Sequence, residues 1–189
     1  DVLTRGGHHG RCTPGVGSKR EPAWRFLTPP GDIGFDDAIQ GVQTQDVATD
    51  IGDFVLRRSE GLWAYQLAVV VDDGVQGVTE IVRGADLLDS TPRQILLQRA
   101  LGLSTPAYAH IPVLLGEDGQ KLSKQTRAIP IDAADPMPAL RHALHLLGID
   151  PTCLPAAGTP QTLLFAATPL IDFERIGRHP SLSSDNWQR

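Results

Sequence analysis

Between about residues 31 and 148, short apolar blocks separated by glycines and prolines mark the ordered part of the chain. Phe54–Arg57 and Leu62–Tyr65 flank Ser59-Glu60-Gly61, the pattern of a hairpin with glycine at its turn. Leu67–Val71 is strand-like in its β-branched content, while its length leaves a buried helix open. Val78–Val82, bounded by Gly77 and Gly84, reads as a strand. Thr91, Pro92 and Gln94 read as the cap, first position and capping-box partner of a helix running to about Leu101. His110–Leu115 reads as a short buried strand that ends at the turn Gly116-Glu117-Asp118-Gly119. Asp135 is placed to cap a last helix with Pro136 at its start, an apolar stripe of Leu140, Ala143, Leu144 and Leu147, and Gly148 at its end. Strand, helix, strand, loop and helix in this order predict an α/β fold with a parallel sheet.

The two ends look different. Residues 1–30 are broken by Gly6, Gly7, Gly10, Pro14, Gly15, Gly17, Pro22, Pro29 and Pro30, with His8, His9 and Cys12 between them. They are expected to be irregular, as in the middle of a larger protein cut in a loop. From Pro155 to Arg189 only Thr162–Ala167 and Leu170–Ile176 are apolar enough to dock. Composition narrows the function classes. With 17 Lys+Arg against 22 Asp+Glu the chain carries a net charge of −5, which excludes a histone-like coat but leaves a local basic face open. No apolar run approaches the roughly 20 residues needed to span a bilayer, so no membrane is expected. Cys12 and Cys153 form no disulfide framework, and a reducing cytoplasm is the expected setting. Cys153 reads as a small apolar filler.

Positive charge is written almost wholly as arginine, yet two of the three lysines, Lys121 and Lys124, fall within four residues. Lysine is a compact charge on a flexible stem and arginine a planar fork, so a loop that keeps lysine twice fits a polyphosphate whose charge moves. The alternative is an accident on a solvated loop. Lys121-Leu122-Ser123-Lys124 follows a strand and a glycine turn, at the edge where open α/β sheets bind ligands. Gly116–Ser123 lacks the spacing of a P-loop, and neither a G-x-S-x-G elbow nor an H-E-x-x-H pair occurs. His142 and His145 read as a solvated helix face rather than a metal pair, and Asp72 and Asp73 as structural or at most facing a nucleic acid.

Five runs of residues, taken together, carry a family likeness. Tyr65-Gln66-Leu67-Ala68-Val69-Val70-Val71-Asp72-Asp73, Gly77–Asp86 (GVTEIVRGAD), Ser90-Thr91-Pro92-Arg93-Gln94, His110-Ile111-Pro112 and the lysine loop stand in one order and spacing. This closely resembles the second half of the catalytic domain of class I glutamyl-tRNA synthetases, over about residues 31–148. The lysine loop resembles the family's K-M-S-K-S motif, with Leu122 and Gln125 as replacements. The wording leans to the glutamyl-queuosine tRNA(Asp) branch, which lacks an anticodon-binding domain. His8-His9-Gly10-Arg11-Cys12 resembles the closing part of that branch's zinc insertion, with His8 where Tyr is usual and the paired cysteines absent.

The resemblance implies a fold, roles and a reaction. Residues 1–30 would be a remnant of the zinc-binding insertion, 31–130 the second half of a Rossmann-like catalytic domain, and 131–189 a helical extension and tail. The chain would be the C-terminal part of such an enzyme, without the first half that holds the H-I-G-H-like motif. Leu67–Val71 would be helical. Arg83, at the end of the central strand, would hold the glutamate side-chain carboxylate, where a surface pair with Asp86 is the plainer role; Tyr65 would hydrogen-bond glutamate. Lys124 would bind ATP and stabilise its phosphate charge, with Lys121 and Ser123 in support. Cys12 and His8 would be zinc ligands. The implied reaction uses ATP with Mg2+ to activate glutamate without tRNA, then passes it to queuosine in the anticodon stem-loop of tRNA(Asp), in a monomeric cytoplasmic protein that holds Zn2+ when complete. A truncated glutamyl-tRNA synthetase that charges a 3′ end, and a non-catalytic RNA-binding remnant, are the alternatives.

Overall fold

The computed structural model describes the backbone of Leu3–Arg5 and, in full, residues 22–116, 118–122 and 130–183. Strands β1 (Leu3–Arg5), β2 (Trp24–Phe26) and β5 (Phe54–Arg57) form an antiparallel sheet in that order. Part of the stretch expected to be irregular is therefore sheet. Three-residue strands are too short to show a period, and their hydrogen bonds come from a partner elsewhere in the sequence. The register sets Trp24 opposite Arg57, and Arg57 bridges onward to Trp63. Its guanidinium consequently lies 5.8 Å from the Trp24 ring and 5.6 Å from the Trp63 ring, within reach of both π faces.

The hairpin expected after β5 forms only in part. Gly61 makes the turn at φ 86°, where a side chain would be strained, and Arg58 takes its amide proton. The return arm is a single bridge at Trp63, because the Leu67 and Ala68 amides turn back onto the Ala64 carbonyl and start helix α2 (Tyr65–Gln76). Leu67–Val71 is thus helical, as the family resemblance implies and against its β-branched content. Burial decides it: Leu67, Val69 and Val70 pack into the core.

A second sheet runs β4-β3-β7-β6, from β4 (Gly41–Asp46), β3 (Asp32–Asp37), β7 (Ala107–Ile111) and β6 (Glu80–Gly84). β3 is parallel to β7, whereas β3 and β4 are joined by a tight turn, so the sheet is mixed rather than wholly parallel. A short helix α1 (Val47–Asp50) follows β4. A 3₁₀ segment (Ala85–Ser90) and helix α3 (Thr91–Leu101) carry the chain from β6 to β7. Because the 3₁₀ turn runs straight into α3, Ser90 takes the cap position in a helical conformation and Thr91 is already inside the helix. Pro112, with no amide proton, breaks the single strand expected over His110–Leu115 into β7 and β8 (Val113–Leu115). β8 pairs in parallel with β9 (Ser181–Ser183).

The chain divides into two compact units: Asp1–Asp37, Val42–Ile81 and Leu87–Tyr108; and Ala38–Gly41, Val82–Asp86 and Ala109–Arg189. The first is built on Phe26, Phe54, Leu56, Ile95, Leu97 and Tyr108, with Phe26 and Phe54 stacked at 5.2 Å. In the second, α4 (Met137–Leu146) and α5 (Pro160–Ala167) bury Leu144, Leu163 and Ala167 together, while Ile176 of α6 (Phe173–Ile176) packs on Ile39 and Ala109. The predicted stripe and Gly148 stop of α4 are present, but Asp135 does not cap it; Pro136 takes the cap position with no side-chain cap bond, and Pro138 inside the first turn lacks the amide proton a cap would take. Cys153 is an exposed free thiol, not a core filler, since it lies on the 3₁₀ turn that Asp150 caps. Among the described residues no helix is long and apolar enough to cross a membrane.

Candidate active site

The G-V-T-E-I-V-R-G-A-D run becomes β6 and the start of the 3₁₀ segment, and its Val82–Asp86 portion belongs to the second unit. β6 stands at one end of the four-strand order, not at its centre as expected, since among the described residues no strand lies beyond it. Arg83 is its penultimate residue, half-buried, and its Nε donates to Nε2 of His110 at 2.9 Å. His110 is fully buried on β7, and its carbonyl accepts from Nε2 of buried Gln40 at 2.9 Å. The same Gln40 amide donates to the His179 carbonyl at 3.2 Å, tying β7 to the chain before β9. For His110 to accept through Nε2, its ring is neutral with the proton on Nδ1.

The lysine loop leaves β8 through a tight hairpin. Gly119 donates to the Gly116 carbonyl, Gly116 to that of Gln120, and Leu122 back to Leu114. Lys121 emerges beside β8, where its Nζ meets Oδ2 of Asp86 at 2.5 Å. Asp86 is therefore the partner of Lys121. Gly84 makes room for this: a Cβ there would stand 2.4 Å from Asp86 Oδ1. The R-G-A-D wording so has a local reason, a glycine that lets the aspartate fold back onto the end of its own strand. Ser123 and Lys124 lie outside the described residues.

In the first unit, Tyr65 opens α2 and is 51% exposed, so core packing does not account for it. Its neighbour Gln66 donates to Ser90 Oγ at 3.0 Å and accepts from Gln94 Nε2 at 2.9 Å. Arg93 Nη2 also donates to Ser90 Oγ, at 3.2 Å. Burial lowers the pKa of the Arg93 guanidinium, and the Asp89 carboxylate opposes the shift. The expected capping box is thus replaced by a network that joins the starts of α2 and α3. The structure places Arg83 and Lys121 in one unit and Tyr65 in the other.

Sequence reasoning missed His110 as a partner of Arg83, although the residue stood within the His110-Ile111-Pro112 run; a histidine amid apolar strand residues was the available signal. His8 and Cys12, the expected zinc ligands, lie outside the described residues. Among the described residues no three His, Cys, Asp or Glu side chains converge to hold a metal; on α4 His145 is exposed, while His142 is half-buried, so the helix face expected to be solvated is so only in part.

The sequence model of the family described as tRNA synthetases class I (E and Q), catalytic domain, matches residues 16–156. The chain belongs to that family. It is 50% identical over 185 residues to the Glutamyl-Q tRNA(Asp) synthetase of Xanthomonas campestris pv. campestris, covering 97% of this chain and 62% of that protein. It is 58% identical over 146 residues to the protein of the same name from Cupriavidus metallidurans, covering 76% and 47%. The chain thus spans about half to three fifths of the curated relatives it matches. The crystal structure of glutamate-tRNA synthetase from Elizabethkingia anophelis superposes with a TM-score of 0.64 at 23% identity, over 87% of this chain and 37% of that one. That likeness shows the fold: the α/β catalytic domain of a class I synthetase, with a mixed sheet.

Proposed function

We propose that this class I synthetase chain serves the activation of glutamate with ATP and the transfer of glutamate to queuosine at the wobble position of tRNA(Asp). The observation that carries the reading is Arg83, a planar donor fork at the end of β6 held by a buried uncharged partner. A carboxylate matches such a fork bidentately. Arg83 receives the side-chain carboxylate of glutamate, and the half-exposed Tyr65 adds a hydrogen bond. The α-carboxylate then attacks the α-phosphorus of ATP carried with Mg2+. The bond from that phosphorus to the bridging oxygen breaks, and pyrophosphate leaves a glutamyl-adenylate. A queuosine hydroxyl attacks the acyl carbon and AMP departs. No enzyme nucleophile is required, so positioning and phosphate electrostatics supply the catalysis. Lys124 stabilises the phosphate charge, with Ser123 and Lys121 in support; Lys121 leaves Asp86 to do so. Residues 1–30 are assigned to the zinc-containing insertion, with His8 and Cys12 as ligands, and 131–189 to the C-terminal extension of a monomer.

The test is pyrophosphate exchange with glutamate in the absence of tRNA, followed by acylation of tRNA(Asp) with and without queuosine. Exchange without tRNA and acylation confined to the queuosine form support the reading. Acylation of a tRNA 3′ end instead would identify a glutamyl-tRNA synthetase, and no exchange under any condition would favour a non-catalytic RNA-binding remnant.

A further inference from the structure

We infer that His110 is a positioning residue for substrate carboxylate recognition, acting through Arg83; the inference rests on the reading that Arg83 receives the glutamate side chain. An arginine at the end of a strand has four rotatable side-chain torsions, and its usefulness as a bidentate donor depends on which edge of the guanidinium is presented. The Nε–His110 bond of 2.9 Å answers that question. With Nε on the imidazole, the guanidinium plane is set by β7, and carboxylate recognition falls to the end-on edge made by Nη1 and Nη2.

His110 suits this role better than a carboxylate would. A buried Asp or Glu at this point would neutralise Arg83 and compete with the substrate's own carboxylate. A neutral imidazole accepts the Nε proton and orients the fork without itself cancelling the positive charge. The support for the imidazole is itself rigid. His110 is fully buried, and Gln40 ties its carbonyl to that of His179, so the acceptor is fixed by β7 and by the chain leading to β9 rather than by a surface loop.

Two substitutions separate positioning from mere packing. In His110→Gln the side-chain amide reaches as far as Nε2 of histidine and offers a neutral acceptor to Arg83. In His110→Asn the amide stops at the level of Nδ1 and withdraws this acceptor from the Arg83 Nε, with a side chain of similar polarity. Pyrophosphate exchange in the whole protein, titrated separately with glutamate and ATP, should show a glutamate KM raised roughly 10- to 100-fold in His110→Asn, the loss of one hydrogen bond to a charged group. ATP KM should change less than about twofold, and His110→Gln should recover most of the glutamate affinity. Arg83→Leu is measured alongside, and thermal unfolding shows that each variant is folded. If Arg83→Leu abolishes glutamate dependence while Asn and Gln at 110 behave alike, His110 is structural and the inference falls, with the pocket assignment intact. If Arg83→Leu keeps normal glutamate dependence, the pocket assignment falls and the inference with it. Should His110→Asn not fold, a normal glutamate KM in folded His110→Leu would overturn the inference, and a raised one with unchanged ATP KM would support it.

Discussion

Two cations of the second unit, Arg83 and Lys121, are held in opposite ways. Arg83 donates to a fully buried, uncharged imidazole, whereas Lys121 meets the Asp86 carboxylate with side chains 50% and 38% exposed. A hydrogen bond from a charged donor in a buried setting is worth about 1.5–3 kcal/mol, and an exposed ion pair about 0–1 kcal/mol. The first arrangement fixes an orientation without spending charge. The second holds a charge where solvent screens it. On the proposed function, the first suits recognition of one carboxylate and the second a lysine that follows moving phosphate charge.

Breaking the fixed side should have the largest effect. On the proposed reading, Arg83→Leu would leave the glutamate side-chain carboxylate unpaired, at a cost of about 3–5 kcal/mol, and glutamate activation should fall by roughly two to four orders of magnitude. Arg83→Lys should recover only part, since it offers charge without the fork. ATP dependence should be nearly untouched. Glutamate and ATP titrations of pyrophosphate exchange decide it.

Lys124→Ala tests the role proposed for the lysine loop. It should slow adenylate formation about a hundredfold, the effect of removing one donor to developing charge, with little change in glutamate binding. Equal losses in rate and in glutamate affinity would make the loop merely structural.

The contrast between buried neutral and exposed charged partners extends to stability. Gln94 is 1% exposed and donates to Gln66. Gln94→Leu should cost about 1–3 kcal/mol in denaturant unfolding by stranding Gln66 Oε1. Asp86→Ala should cost less than about 1 kcal/mol, because the pair it breaks is exposed. Parity of the two would mean that burial does not set the worth of these contacts.

The smallest effect is a matter of pH. Asp46 caps α1, and the hydroxyl of Thr49, then the Thr49 and Ala48 amides, hold its carboxylate below the ordinary value of 3.8. A depressed folded value contributes stability above the unfolded one, lost as pH falls through the folded value. Asp46→Asn should therefore melt slightly below the parent near neutral pH, and the gap should close at pH well below 3.8. A gap that persists there would mean the charge is not what the cap uses.

Local features were legible in the sequence because their hydrogen bonds close within a few residues. The Gly61 turn, the glycine stop after α4 and the apolar stripe of α4 belong to this class. Where a residue's partner lies far along the chain, only the tertiary structure decided. Leu67–Val71 became a helix because the core it packs on includes Ile95 and Leu97, against its own β-branched preference. Gln94 left the helix cap for Gln66, 28 residues away, and Trp24–Phe26 became a strand because Phe54–Arg57 was there to pair with it. Arg83 and Lys121 were legible as cations worth keeping, but their partners, His110 at a separation of 27 and Asp86 at 35, were not. A sequence pattern records which groups must be satisfied; which distant group satisfies them depends on how the sheet and helices bring strands and loops together.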